Sequence, residues 1–184
     1  STVYSVNTQY AGNTLGLKKL SLRLAISKAD KGNWLSEHMF LMNVYGPKKR
    51  KTYFTGAFPS ACGKTSTCMV EGGTIVGDDI AYLRKRHNAA YAVNVERGIF
   101  GIIRDVNPDD DPLIWDVLMN PGEVIFSNVL VRDDEPHWMG DGRPTPKEGV
   151  NFSGHWTEGK TNKVGKPVPF SHPNARYTIK LQEL

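Results

Sequence analysis

Two cysteines, Cys62 and Cys68, are too few for a disulfide framework or a sulfur-based zinc site. Their scarcity excludes the small disulfide-stapled scaffolds and the zinc modules. No run approaches the roughly 18 consecutive apolar residues of a membrane span, and residues 1–10 lack the charged and apolar regions of a secretion signal. Charge of one sign is also in short supply. The 23 Lys and Arg against 19 Asp and Glu leave +4, which suits a phosphorylated ligand and is too small to argue for nucleic acid. Low-complexity tracts and repeats at solenoid periods do not occur. These absences leave a soluble, cytoplasmic globular protein as the expectation.

What is present fits one unit. The 184 residues are 39% hydrophobic and 23% charged, enough for a single core and too few for two full domains. The chain starts without Met, and residues 177–184 alternate like a strand with no stop signal, so a segment of something longer is expected. Over residues 17–29, Leu17, Leu20, Leu24 and Ala25 fall at helical spacing, and Gly32 is a C-terminal cap, which predicts an amphipathic helix. Residues 38–45 and 52–58 read as a hairpin around Gly46-Pro47, with Lys48, Lys49, Arg50 and Lys51 as a solvated tip. Residues 74–76, 90–95, 99–106 and 123–131 read as strands, and residues 80–87 as a short helix. Pro112 opens a helix over residues 112–119, capped and solvated by Asp109, Asp110 and Asp111. Residues 133–169, rich in Gly, Pro, Lys and Asp, read as long surface loops in which His137, Trp138, His155 and Trp156 pack. The sum is an α/β fold: a mixed sheet with few, short helices.

The most informative stretch is Gly56-Ala57-Phe58-Pro59-Ser60-Ala61-Cys62-Gly63-Lys64-Thr65. It follows a predicted strand and precedes a predicted short helix, the context in which backbone N–H groups cradle phosphate. Lys64 then neutralises β and γ oxygens, and the Thr65 hydroxyl holds a divalent cation. Phe58 stands where a standard phosphate loop has its first glycine. Asp78 and Asp79 follow the apolar Thr74-Ile75-Val76-Gly77, and carboxylates at a strand end can bind the metal that bridges nucleotide phosphates. The alternative is an Asp pair capping a helix that starts at Ile80. Only thirteen residues lead from Thr65 to Asp78, too short for a strand-crossover-strand unit, so the loop belongs to a fold other than the common nucleotide-hydrolase one.

Five blocks together resemble a known family. Phe58-Pro59-Ser60-Ala61-Cys62-Gly63-Lys64-Thr65 and Val76-Gly77-Asp78-Asp79-Ile80-Ala81 are similar to the two kinase motifs of the GTP-dependent phosphoenolpyruvate carboxykinases. Trp34-Leu35-Ser36-Glu37-His38-Met39 resembles that family's metal-histidine segment. Tyr10-Ala11-Gly12-Asn13-Thr14-Leu15-Gly16-Leu17-Lys18-Lys19 resembles its substrate and metal-lysine segment, with Ala11 where a second Gly is usual. His172-Pro173-Asn174-Ala175-Arg176 resembles its substrate-binding Asn-x-Arg. The blocks occur in the family's order across almost the whole chain, and the phosphate loop favours the GTP branch over the more Gly-rich ATP branch.

The resemblance implies a carboxykinase-like P-loop core, residues 1–184 being a partial catalytic core of a longer enzyme. It implies Lys19, His38 and Asp79 as ligands of a catalytic Mn²⁺, with Lys18 the adjacent alternative, and Thr65 on a Mg²⁺ that accompanies the nucleotide. It places Ala61, Cys62, Gly63, Lys64, Thr65, Ser66 and Arg176 on GTP. Tyr10, Ala11, Gly12, Ser60, Asn174, Ala175 and Arg176 become the contacts of oxaloacetate and phosphoenolpyruvate. Ser60, Cys62, Lys64 and Arg176 stand at the reaction centre, Cys62 as a reactive thiol near a helix start, while Cys68 is read as a buried apolar residue. The implied reaction is Mn²⁺-assisted decarboxylation of oxaloacetate and phosphoryl transfer from GTP, giving phosphoenolpyruvate, GDP and CO₂ in gluconeogenesis. Neither nucleic acid nor membrane is an expected partner. Two rival expectations stand beside it: a nucleotide-binding or kinase module for another acceptor, with no need of His38 or Arg176, and an inactive piece lacking the guanine pocket and lid.

Overall fold

The computed structural model describes residues 1–6, 8–59, 62–120 and 122–184. Its elements run β1 (Thr2–Ser5), α1 (Thr8–Gly32), β2 (Leu35–Glu37), β3 (Met39–Tyr45), β4 (Lys51–Ala57), α2 (Lys64–Cys68), β5 (Gly73–Gly77), β6 (Ala81–Arg86), β7 (Ala89–Asn94) and β8 (Gly98–Ile102). There follow α3 (Pro112–Met119), β9 (Val124–Ser127), β10 (Leu130–Arg132), β11 (Glu135–His137), β12 (Glu148–Asn151), β13 (Gly154–Thr157) and β14 (Arg176–Lys180). This is the expected α/β class with mixed sheets. The chain divides into two compact units, a middle unit of Leu15–Ile99 and a terminal unit of Ser1–Thr14 with Phe100–Glu183.

In the middle unit, β3 is the centre of an antiparallel sheet in the order β4-β3-β5, and the β3–β4 register runs from Met39 opposite Ala57 to Tyr45 opposite Lys51. Alternation along β3 sends Phe40, Met42 and Val44 to one face, where they meet Cys68 and Met69, Phe58 and Ile75. That cluster seats α2 against the sheet and so fixes where Lys64 and Thr65 start. Cys68 is fully buried, as expected.

Residues 80–87, expected as a helix, are strand β6. It pairs with β2 on one side and with β7 on the other, through a tight turn in which His87 and Asn88 both have positive φ, 46° and 60°. Two left-handed residues match the twist of a two-residue hairpin, and that pairing overrides the local helical spacing. An Asp cap on a helix at Ile80 is thereby ruled out.

Helix α1 is 25 residues long, extending well beyond the predicted span and including Tyr10. Its inward face also differs from the expected one. Ala11 and Ala29 are buried and Leu15, Lys18, Leu22 and Ala25 half-buried, whereas Leu17, Leu20 and Leu24 are exposed. The helix carries two apolar stripes at helical spacing, and the one that includes Ala11 and Ala29 is the less exposed.

The terminal unit holds a mixed sheet, β1-β9-β14-β8, with β1 and β9 parallel and β14 antiparallel to β9. Residues 123–131, expected as one strand, are two, because Asn128 adopts φ 62° between β9 and β10. Residues 133–169, expected as loops, supply β11, β12 and β13, which join β10 in a second sheet of order β11-β10-β12-β13. Its few apolar side chains are large. Trp138 is 1% exposed and donates its indole N–H to the Val106 carbonyl at 2.8 Å, and the Trp156 indole donates to Val168 at 2.7 Å. A buried aromatic of this size contributes about 2–3 kcal/mol, so two indoles do the work of a longer hydrophobic run. The helix α3 forms where Pro112 predicts it, but Asp111 makes no side-chain cap; Asn107 Oδ1 instead accepts the Asp109 and Asp110 amides at 3.0 and 2.9 Å.

Candidate active site

In the middle unit, β5 ends at Gly77, and the chain turns through Asp78 and Asp79, which are only 4% and 6% exposed. Buried carboxylates need partners. Asp79 receives the Lys64 ammonium at 2.9 Å and is also in contact with the Lys18 ammonium and His38 Nε2. Asp78 takes Lys64 at 3.3 Å through Oδ1, while Lys64 also donates to the Asp78 backbone carbonyl. The Thr65 hydroxyl donates to Asp78 Oδ2 at 3.3 Å. Two ammonium groups thus face two carboxylates, and the imidazole completes the group. His38, set between β2 and β3, has its pKa lowered, first by burial and then by Lys64 and Lys18, with Asp78 opposing. Burial and the two ammonium groups thus favour the neutral form of its ring.

Lys18, not Lys19, reaches Asp79. The two are neighbours on α1, so their side chains diverge by about 100°, and Lys19 is exposed. Of the two lysines that the sequence left open, Lys18 is the one this carboxylate meets. A face-by-face reading of α1 would have found it, since Lys18 lies in the stripe that contains Leu15, Leu22 and Ala25.

The aspartate turn is itself held from behind. Glu96 Oε2 accepts the backbone N–H groups of Asp79 at 2.8 Å and Ile80 at 3.1 Å. Asn94 donates to the carbonyls of Val76 at 2.7 Å and Glu96 at 2.8 Å, and accepts the Glu96 amide at 3.0 Å. A Cβ on Gly77 would lie 2.3 Å from the Asn94 side chain, so only glycine fits there. Burial pushes the Glu96 carboxyl up to about 7, with Asp78 adding to it, against the Ile80 amide, Lys18 and Lys64. Sequence reasoning passed over Asn94 and Glu96, because a polar pair between two strands looks like any solvated connection.

In the phosphate loop, Gly63 has φ 79° with open space where a Cβ would stand, and leads into α2. Cys62 and Ser66 are exposed. Ser60 and Ala61, expected contacts of substrate and nucleotide, lie outside the described residues. Burial pushes the Cys68 thiol up to about 12, helped by Asp78, so it is inert at neutral pH.

The terminal unit carries the other expected residues. Arg176 opens β14, and its Nη2 donates to Asn174 Oδ1 at 2.9 Å; its guanidinium lies over the Phe100 ring, 5.2 Å from the centroid. Tyr10 Oη lies 3.2 Å from Thr178 Oγ1. Burial lowers the Arg176 pKa, yet a guanidinium stays protonated. Ala175 is buried and its carbonyl accepts the Ile103 amide at 3.0 Å, a structural role. Ala11, where a second glycine was expected, is helical with its methyl buried, and Gly12 has open space around its Cα.

Among the described residues no group of three or more His, Cys, Asp or Glu side chains gathers as a metal site. His38 and Asp79 alone give an imidazole and a carboxylate, and the third donor available to them is the Lys18 amine. Nor is any described helix long and apolar enough to cross a membrane.

Comparison with known proteins identifies the family of the chain. Residues 34–184 match the model of the phosphoenolpyruvate carboxykinase C-terminal P-loop domain, and residues 1–30 that of the phosphoenolpyruvate carboxykinase N-terminal domain. The chain is 60% identical over 181 residues to the phosphoenolpyruvate carboxykinase [GTP] of Pyrococcus horikoshii, covering 98% of this chain and 29% of that protein. It is 52% identical over 182 residues to the enzyme of the same name from Saccharolobus solfataricus, again 98% of this chain and 29% of that protein. Against the one from Corynebacterium glutamicum the identity is 34% over 190 residues, 98% of this chain and 30% of that protein. The chain thus spans less than a third of the length of the curated relatives it matches, and it belongs to the GTP-dependent phosphoenolpyruvate carboxykinase family.

Proposed function

We propose that this chain carries the metal- and phosphate-handling core of a cytoplasmic GTP-dependent phosphoenolpyruvate carboxykinase, which converts oxaloacetate and GTP to phosphoenolpyruvate, GDP and CO₂ in gluconeogenesis. The observation that carries the reading is the meeting of Lys18, His38 and Lys64 on one buried carboxylate, Asp79, beside the Thr65–Asp78 pair. The donor set fits a borderline-hard cation such as Mn²⁺: a neutral imidazole nitrogen, a carboxylate oxygen and an amine, leaving positions for substrate oxygens. When bound, that ion supplies positive charge for the oxygen that becomes negative as CO₂ leaves.

The chain's own residues do the rest. Asp79 and His38 offer their donors from the ends of adjoining strands, fixed by Glu96 and by the β3 sheet. Lys18 would hold the ion through its amine nitrogen, giving up to the solvent the proton it carries against Asp79. Lys64 spreads the charge of the β- and γ-phosphates, and Thr65 and Asp78 serve the cation that travels with the nucleotide. Gly63 lets backbone N–H groups approach the phosphates, with Cys62 exposed at the rim as the site where thiol modification blocks the loop. Arg176, Asn174 and Tyr10 bind the carboxylate end of oxaloacetate or phosphoenolpyruvate, the guanidinium fork matching a planar carboxylate. Positioning and electrostatics suffice; no covalent intermediate on the protein is needed.

The test is His38→Ala in the complete enzyme. Mn²⁺ affinity, read by electron paramagnetic resonance, is expected to fall by at least tenfold and turnover by about a thousandfold. Unchanged Mn²⁺ dependence and rate would remove His38 from the metal and with it this reading.

A further inference from the structure

Strand β14 alternates cleanly. Tyr177 and Ile179 are buried, whereas Arg176 and Thr178, on the opposite face, are half-buried. Its neighbour β8 follows the same division. A Cβ on Gly101 would come within 2.4 Å of the Tyr177 ring, so Gly101 lies on Tyr177's side and Phe100 on that of Arg176 and Thr178. On this face Phe100 meets two groups at once. The Arg176 guanidinium lies over its ring at 5.2 Å, and the Tyr10 ring stands against it edge to face, 6.4 Å away at 85°. Tyr10 closes the circuit through its hydroxyl on Thr178, and Arg176 is tied at its other side to Asn174.

We infer that Phe100 is a positioning residue for the carboxylate end of the substrate, its ring fixing the plane of the Arg176 guanidinium on its face and the orientation of Tyr10 by their edge-to-face contact. The inference rests on the reading of Arg176 and Tyr10 as oxaloacetate and phosphoenolpyruvate contacts. The physical reason is orientation. A free arginine side chain has many rotamers, and a bidentate grip on a carboxylate uses one of them. Cation–π attraction of a partly desolvated guanidinium selects the plane before the substrate arrives, so less ordering remains to be done on binding. Partial burial of Arg176, which lowers its pKa, strengthens the same attraction. Asn174 alone could set one Nη2 group and leave the plane free to swing about that bond.

Steady-state kinetics of the complete enzyme test this. Phe100→Leu is expected to raise the oxaloacetate KM about tenfold, with the GTP KM and Mn²⁺ activation unmoved and kcat changed far less than KM. Phe100→Tyr keeps the ring and restores the KM. Fluorination keeps the shape while draining the ring of its negative face, so mono-, di- and trifluorophenylalanine at position 100 should raise KM in steps. This series still decides the matter if Phe100→Leu fails to fold. A flat fluorination series, or Phe100→Leu with wild-type KM while Arg176→Ala raises it, overturns the role of Phe100 and leaves the substrate reading intact. An oxaloacetate KM unmoved by Arg176→Ala overturns the substrate reading itself.

Discussion

Around Asp79, charge is held by charge: two ammonium groups and an imidazole meet two carboxylates that water barely reaches. Around Arg176, charge is held by an aromatic face and one amide oxygen, on a half-open sheet surface. The first arrangement suits a site that must accept a multivalent cation and polyphosphate, because its carboxylates are already desolvated and need only exchange one set of positive partners for another. The second suits a site that must accept an anion, because the guanidinium keeps donors unspent. The difference teaches that the two halves of one proposed reaction place opposite demands on stability. Buried networks are costly to break, and open ones are cheap to break and matter chiefly to binding.

Removing the hub should show the largest effect. Asp79→Ala strands Lys18 and Lys64 beside one remaining carboxylate, and chemical denaturation is expected to show a loss of about 3 kcal/mol. A loss under about 1 kcal/mol would mean that the ammonium groups escape to water and that the network is looser than its distances indicate. Next comes the support behind the hub. Glu96→Ala leaves the Asp79 and Ile80 amides without their acceptor and should cost about 2 kcal/mol together with weaker Mn²⁺ binding. Glu96→Gln, whose amide oxygen can still accept both, should recover most of each. If Gln is as damaging as Ala, the carboxylate acts by its charge and not as an acceptor. The smallest change belongs to the terminal unit. Arg176→Met should alter unfolding free energy by about 1 kcal/mol, since a half-buried cation–π contact is worth roughly 0.5 to 2 kcal/mol; a loss above about 2 kcal/mol would erase the contrast between the two regions.

Contiguous motifs were readable and spatial partners were not. The phosphate loop, the Asp78-Asp79 pair, the hairpin of β3 and β4 and the helix α3 are each written in consecutive residues with local causes: a glycine turn, β-branched alternation, a proline at a helix start. Lys18 and Lys19 illustrate the limit. Adjacent identical residues differ only in which side of α1 faces inward, and the leucine stripe that periodicity favours is the exposed one. The strand β6 was hidden because six residues satisfy either spacing, and its pairing is set by the left-handed His87-Asn88 turn and by β2, far away in the chain. The second sheet of the terminal unit was hidden because its burial rests on Trp138 and Trp156, single residues among glycines and prolines, each anchored by a hydrogen bond to distant backbone. Phe100 and Glu96 belong to the same class: their roles exist only through neighbours that the sequence separates widely.

The wedge of Asn94 against Gly77 makes the β6–β7 hairpin a gauge block for the turn of Asp78 and Asp79. Its exposed tip at His87 and Asn88 can grow, shrink or carry cargo while the spacing at its root stays as it is. A single residue gained or lost between Asn94 and Glu96, by contrast, would move the stop against which the aspartate turn is set. Length variation in this region is therefore harmless at one end and disabling at the other.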